Sequence, residues 1–140
     1  MQFVHNNWML ILVFVASGAM LVWPVIQRRM SPAKELSTLE LTRLINDRNP
    51  VIVDVREPKE VENGRTLPNA VHIPLSQLDT RAAELTSLSG RPAVAYCARG
   101  NRSGSAVRAL AKLGFNEAYS LRGGFDAWRQ AGLPTVKLRT

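Results

Sequence analysis

The sequence predicts an α/β fold whose parallel sheet is covered on both sides, and three observations predict it. Ala93–Tyr96 is a short apolar run without polar alternation, as expected of a strand buried on both faces, and Val51–Val55, Val71–Ile73 and Ala118–Leu121 read as further short strands. Between them lie segments with apolar residues at helical spacing, such as Ala106, Val107, Leu110 and Ala111. The connections are short and punctuated by Gly and Pro. Strands and helices that alternate in this way build layered parallel sheets.

Ahead of this region stands a different kind of chain. Charged residues are 21% of the whole and hydrophobic ones 46%, an ordinary globular balance. No Lys, Arg, Asp or Glu precedes Arg28, however, so the whole +7 formal charge lies after that point. Trp8 to Ile26 is about 19 residues without a charge, close to the ~20 that span a bilayer as a helix. Trp8 and Trp23 sit near its ends, where aromatic rings favour the membrane interface. A cleaved signal peptide fits less well, because no basic stretch precedes the run and apolarity continues past Ala16–Ala19. The expected organisation is a transmembrane anchor over 1–27, a basic linker over 28–34 and an α/β domain over 35–140. Arg28, Arg29 and Lys34 follow the apolar run, and Met1 to Asn7 has no Lys or Arg. The positive-inside rule then predicts a single-pass protein of the inner (cytoplasmic) membrane with its domain facing the cytoplasm. Basic residues show no interleaving with aromatics and no nucleic-acid motif, so nucleic acid is not an expected partner.

Within the domain, Ser37-Thr38-Leu39-Glu40 is a capping-box pattern that opens a helix with Leu39, Leu41, Leu44 and Ile45 as its apolar stripe. Asn49-Pro50 ends it, and the strand over Val51–Val55 follows. Glu57 to Glu62 reads as a short helical turn stopped by Gly64. Leu75, Leu78, Leu85 and Leu88 predict a helix before Gly90 and Pro92. Gly123-Gly124 opens the last helix, with Phe125 and Trp128, and no G-x-G-x-x-G follows, so tight packing accounts for the pair better than a phosphate. His72 is a structural side chain on this reading, and no metal site or cofactor is expected.

The chemistry gathers after Ala93–Tyr96. Cys97 is the single cysteine, so no intramolecular disulfide and no Cys-x-x-Cys site exists. Ala98, Arg99, Gly100, Asn101 and Arg102 form a turn, and Ser103 begins the next helix. The sulfur then lies at a helix N-terminus, where free amides and the helix dipole favour an anion. Arg99 and Arg102 are expected to push the same way, producing a thiolate in a cationic cup. The alternative is a buried structural cysteine. Asp54 and Arg56 end the Val51–Val55 strand at its carboxyl side, where parallel sheets gather ligands. A mutual salt bridge or a turn cap explains them equally well.

Tyr96-Cys97-Ala98-Arg99-Gly100-Asn101-Arg102-Ser103 resembles the active-site loop of the rhodanese family of sulfurtransferases. Val51-Ile52-Val53-Asp54-Val55-Arg56-Glu57-Pro58, Asn69 to Leu75, and Leu121 to Phe125 with Trp128 resemble three further family motifs, in the family's order. The family carries His after the glycine at Gly64 in many members, and Arg65 stands there instead. The resemblance implies sulfane-sulfur transfer from a small anionic donor such as thiosulfate to a thiol, a protein thiol or cyanide, through a Cys97 persulfide. It implies that the amides of Ala98 to Ser103 hold the persulfide, that Arg99 and Arg102 attract the donor, and that Asp54 and Arg56 border the pocket. Phosphatases and arsenate reductases of similar fold place five residues between Cys and Arg, whereas four separate Cys97 from Arg102. A shorter loop makes a smaller cup, suited to sulfur. Rhodanese-like domains also serve as non-catalytic binding or sulfur-carrier modules, which is the competing expectation.

Overall fold

The computed structural model describes residues 1–30, 33–61 and 64–138, and for 24–30 it describes the backbone only. Two compact units divide the chain, Met1–Pro32 and Ala33–Thr140. The first holds a short helix α1 (Gln2–Asn6) and a 23-residue helix α2 (Trp8–Met30). Trp8, Leu10, Phe14, Leu21 and Trp23 are all exposed on α2. Among the described residues no helix is long and apolar enough to cross a membrane. The transmembrane expectation over 1–27 is therefore not shown by the described residues, and the side chains of its last part, from Pro24 on, lie outside them. The side chains of Arg28 and Arg29, on which the orientation rests, lie outside the described residues.

The second unit is an α/β domain. Five parallel strands, β1 (Lys34–Leu36), β2 (Val51–Asp54), β4 (Ala70–His72), β5 (Ala93–Tyr96) and β6 (Ala118–Leu121), lie in the order β1-β6-β5-β2-β4. The remaining pair, β3 (Arg65–Thr66) and β7 (Val136–Lys137), is antiparallel and forms a small separate sheet. β5 is the middle strand, paired with β2 from Val51↔Ala93 to Asp54↔Tyr96. All four residues of β2 and of β5 are buried; β5 is wholly apolar, whereas β2 ends on the buried Asp54.

Alternate residues of these strands enter two cores. Val51, Val53, Val55, Ala93, Ala95 and Cys97 pack on one face with Ala106, Val107 and Leu110 of α5 (Ser103–Lys112). Ile52, Val94 and Tyr96 face the other way, toward Leu41 of α3 (Thr38–Arg48) and Trp128 of α6 (Gly124–Gln130). Two expected stripe residues point outward instead: Leu39 and Ala111 are exposed, each at the margin of its helix's apolar arc. The α3 capping box is formed, with Glu40 N–H donating to Ser37 Oγ at 3.2 Å and Ser37 N–H to Glu40 Oε2 at 2.7 Å. Ser37→Ala is expected to lower stability by about 1 kcal/mol in a urea titration, because it strips one amide of its acceptor.

Three elements differ from expectation. Lys34–Leu36, placed at the edge of the linker, is a sheet strand, with Leu36 O accepting from Arg122 N–H at 2.8 Å. The β3–β7 pair closes the domain beyond Gly132-Leu133-Pro134. The helix expected over Leu75–Leu88 is instead a 3₁₀ turn (Leu75–Gln77) and the short α4 (Ala83–Thr86). Thr80 Oγ1 donates to Gln77 O at 3.0 Å, a local bond that competes with helix propagation. Leu78 and Leu85 are nonetheless buried as core anchors.

Candidate active site

Cys97 follows β5 directly, so the site begins at the carboxyl end of the middle strand. Strand alternation turns Tyr96 toward one core and Cys97 toward the other. The chain then wraps through Gly100, at φ 91°, before α5 starts. This wrap directs amides at the sulfur: Gly100 N–H donates to Cys97 Sγ at 3.0 Å and Arg102 N–H at 3.4 Å. Cys97 is only 1% exposed. Burial pushes its thiol up, but amides of Arg102, Ser103, Arg99 and Gly100 outweigh that and hold it below the ordinary thiol value.

The cationic cup takes a more specific form than expected: the loop amides are the largest influences lowering the thiol, and Arg102 also interacts with the Cys97 charge. Arg102 turns to Glu60 in the 3₁₀ turn Pro58–Val61, with Nη1 donating to Oε2 at 2.7 Å and Nη2 to Oε1. Arg99 is 81% exposed, and its Nε lies 3.9 Å from Asp126 Oδ2. Of the other loop residues, Asn101 is exposed. Ser103 is fully buried, its Oγ 2.5 Å from Ser120 Oγ and 3.3 Å from Gly100 O. Ala98 contributes through its carbonyl oxygen.

That carbonyl is part of a backbone clasp. Phe125 N–H donates to Cys97 O at 2.8 Å, and Asp126 N–H donates to Ala98 O at 3.0 Å. The approach is close enough that a Cβ on Gly124 would lie 2.3 Å from Cys97 O, and Gly124 has φ 60°. The packing reading of Gly123-Gly124 accords with this geometry. Gly124→Ala is expected to destabilise the domain by about 2–4 kcal/mol, from left-handed strain and overpacking together, read by urea denaturation.

Asp54 and Arg56 form a buried network with Tyr96, the residue before Cys97. Arg56 Nη2 and Nε donate to Asp54 Oδ2 at 2.6 and 3.1 Å, and Nε also to Oδ1 at 2.9 Å. Tyr96 Oη donates to Asp54 Oδ2 at 2.9 Å, and Thr66 Oγ1 lies 2.6 Å from Tyr96 Oη. The guanidinium stacks over Phe125 with its carbon 4.2 Å from the ring centre, and Nη2 reaches Arg65 O at 2.7 Å. Burial works against the Arg56 charge, while Asp54 holds it protonated. Burial and the nearby Asp54 carboxylate push the Tyr96 phenol up, which keeps it a donor. His72 Nε2 lies 2.8 Å from Arg56 O, a structural contact. Glu60, Ser120 and Phe125 were not singled out as site residues by sequence reasoning. Glu60 is 42 positions from Arg102, and no local pattern pairs them.

The fold and site define an α/β domain with an amide-held cysteine closing its central strand. Residues 37–131 match the rhodanese-like domain model, and the chain belongs to the rhodanese-like family. It is 34% identical over 96 residues to the thiosulfate sulfurtransferase GlpE of Coxiella burnetii, covering 69% of this chain and 87% of that protein. An uncharacterized protein of Synechocystis sp. is 43% identical over 89 residues, 64% of this chain and 48% of that protein. The chain thus spans about half the length of that relative. The crystal structure of a rhodanese-related protein from Thermoplasma volcanium superposes with a TM-score of 0.64 at 31% identity, covering 74% of this chain and 97% of that one.

Proposed function

We propose that this protein is a sulfurtransferase that moves a sulfane sulfur from a donor such as thiosulfate to a thiol or cyanide through a Cys97 persulfide. The observation that carries the reading is the pair of amides on Cys97 Sγ, at 3.0 and 3.4 Å, which favour the sulfur anion. The likeness to proteins named as sulfurtransferases supports it. In the first step the thiolate attacks the outer sulfur of thiosulfate. A bond from Sγ to that sulfur forms, the donor S–S bond breaks, and its electron pair leaves with sulfite. In the second step an acceptor thiolate or cyanide attacks the outer sulfur of the persulfide, and the Cys97 thiolate returns with the electron pair of the broken bond. This is covalent catalysis with ping-pong kinetics. The amides of Gly100 and Arg102 serve as anion holders in both states. No cofactor enters the scheme.

The test is mass spectrometry of the chain after thiosulfate treatment, with Cys97→Ser beside it. One added sulfur on the native chain, absent from the variant and removed by cyanide, supports the proposal. No uptake overturns it. A second reading, a slow sulfur carrier or a non-catalytic binding module, is favoured by the 1% exposure of Cys97. Persulfide that forms but passes poorly to cyanide marks the carrier, and no persulfide marks the binder.

We also propose that the N-terminal apolar helix tethers the domain to the inner membrane, with the domain in the cytoplasm. Its support is the charge-free sequence before Arg28 and the exposed apolar side chains of α2. Extraction of the full chain from membranes by detergent but not by alkaline carbonate is the expected result.

A further inference from the structure

The cup around Cys97 Sγ owes its polarity to backbone amides, and the loop's guanidinium groups are each matched by a carboxylate. Arg102 is held in a two-pronged pair with Glu60, and both side chains are about one-third exposed, at 37% and 32%. Glu60 is itself fixed, since Glu57 N–H donates to its Oε2 at 2.8 Å. Glu57 adds another carboxylate to the same turn, where Ser76 Oγ donates to its Oε2 at 3.2 Å. Across the loop Arg99 faces Asp126. Two guanidinium charges against Glu60 and Asp126 sum to zero. Glu57 and Lys59 of the same turn offset each other, so with Cys97 ionised the mouth carries a net negative charge before any donor arrives. Encounter energy with such a mouth scales with donor charge, so a dianion is disfavoured by twice the free energy of a monoanion.

Resting on the sulfurtransferase reading above, we propose that Glu60 determines donor specificity, by engaging Arg102 and so directing the site to sulfane donors of low charge over the thiosulfate dianion. The donor class is a persulfide or thiosulfonate carrying at most one negative charge at the transferred group. Asp126 acts on Arg99 in the same sense, more weakly, because that contact is longer and exposed. The bonding change is the displacement already described. With a thiosulfonate monoanion, the Sγ–S bond forms, the donor S–S bond breaks and a sulfinate leaves with the electron pair.

The experiment follows Cys97 persulfide formation by rapid-mixing mass spectrometry on the detergent-solubilised full chain. The donors are thiosulfate and benzenethiosulfonate, with two and one negative charges. Glu60→Gln is expected to raise the second-order rate about threefold with benzenethiosulfonate and about tenfold with thiosulfate, the square of the first factor. The gap closes at ~0.5 M salt. Asp126→Asn changes the two rates in the same order by smaller factors, and it decides the matter if Glu60→Gln does not fold. In the native chain, added salt is expected to raise the thiosulfate rate. A fall with salt, or equal changes with both donors in the variants, overturns the inference while leaving sulfur transfer intact. A native chain that takes sulfur from neither donor overturns the sulfurtransferase reading itself.

Discussion

Replacing Cys97 with serine is expected to reduce thiosulfate:cyanide transfer by at least about 10³, to the uncatalysed background. A serine hydroxyl does not ionise near neutrality and makes no persulfide, so both half-reactions are lost rather than slowed. The fold is expected to survive, because Gly100 and Arg102 amides donate to an oxygen as they do to Sγ. The native chain carries a pH signature as well. Its thiol lies below the ordinary value, so the rate of persulfide formation rises with pH and levels off below the ~8.5 midpoint of a free cysteine. The stability linkage has the same sign. A depressed acid stabilises the fold above the unfolded thiol pKa, and that contribution is lost as pH falls through the folded one. Alkylation of Cys97 by a small haloacetamide across pH reads the midpoint directly, and a midpoint at or above that of free cysteine contradicts the amide account.

Arg56→Ala is expected to destabilise the domain by about 3–5 kcal/mol, the usual effect of removing one partner from a buried ion pair. Asp54 would keep only hydroxyl and amide partners, from Tyr96, Thr66 and the backbone of residue 56, in a site with no solvent exposure. The Phe125 ring would also lose the cation stacked on it. Urea titration of Arg56→Ala beside Arg56→Lys separates the two contributions. Lysine restores the charge without the fork and stack, so it is expected to recover part of the loss. A loss below about 1 kcal/mol in Arg56→Ala would place this pair among weakly coupled surface contacts.

Much of the site was legible because its signals are local. Ala93–Tyr96 announced a doubly covered strand, Cys97 stood at its end, and Gly100 marked the turn that brings amides to the sulfur. The capping box of α3 is equally local, contained within Ser37 and Glu40. What escaped was set by distant partners or by very short elements. Lys34-Glu35-Leu36 has two charges in three residues, and becomes a strand only because β6 offers it an edge. The β3–β7 pair is two residues long on each side, too short to show a period. Arg99 and Arg102 were legible as cations near Cys97, but their carboxylate partners come from elsewhere in the fold. Arg102 thus divides its charge between the thiol and Glu60. Asp54 and Arg56 left two readings open, and their geometry is that of an inward-facing ion pair.

The clasp between α6 and the loop bears on how little the site must rearrange during turnover. Cys97 O and Ala98 O are occupied by the Phe125 and Asp126 amides, while the Gly100 and Arg102 amides face the opposite way, onto the sulfur. The clasp fixes the 97–98 and 98–99 peptide planes, and reversing the second would take Ala98 O from its donor and turn the Arg99 amide away from the sulfur. On the proposed cycle, the negative charge moves outward by one bond and returns, against dipoles that stay still. The reorganisation term that water would impose on such a shuttle is largely absent.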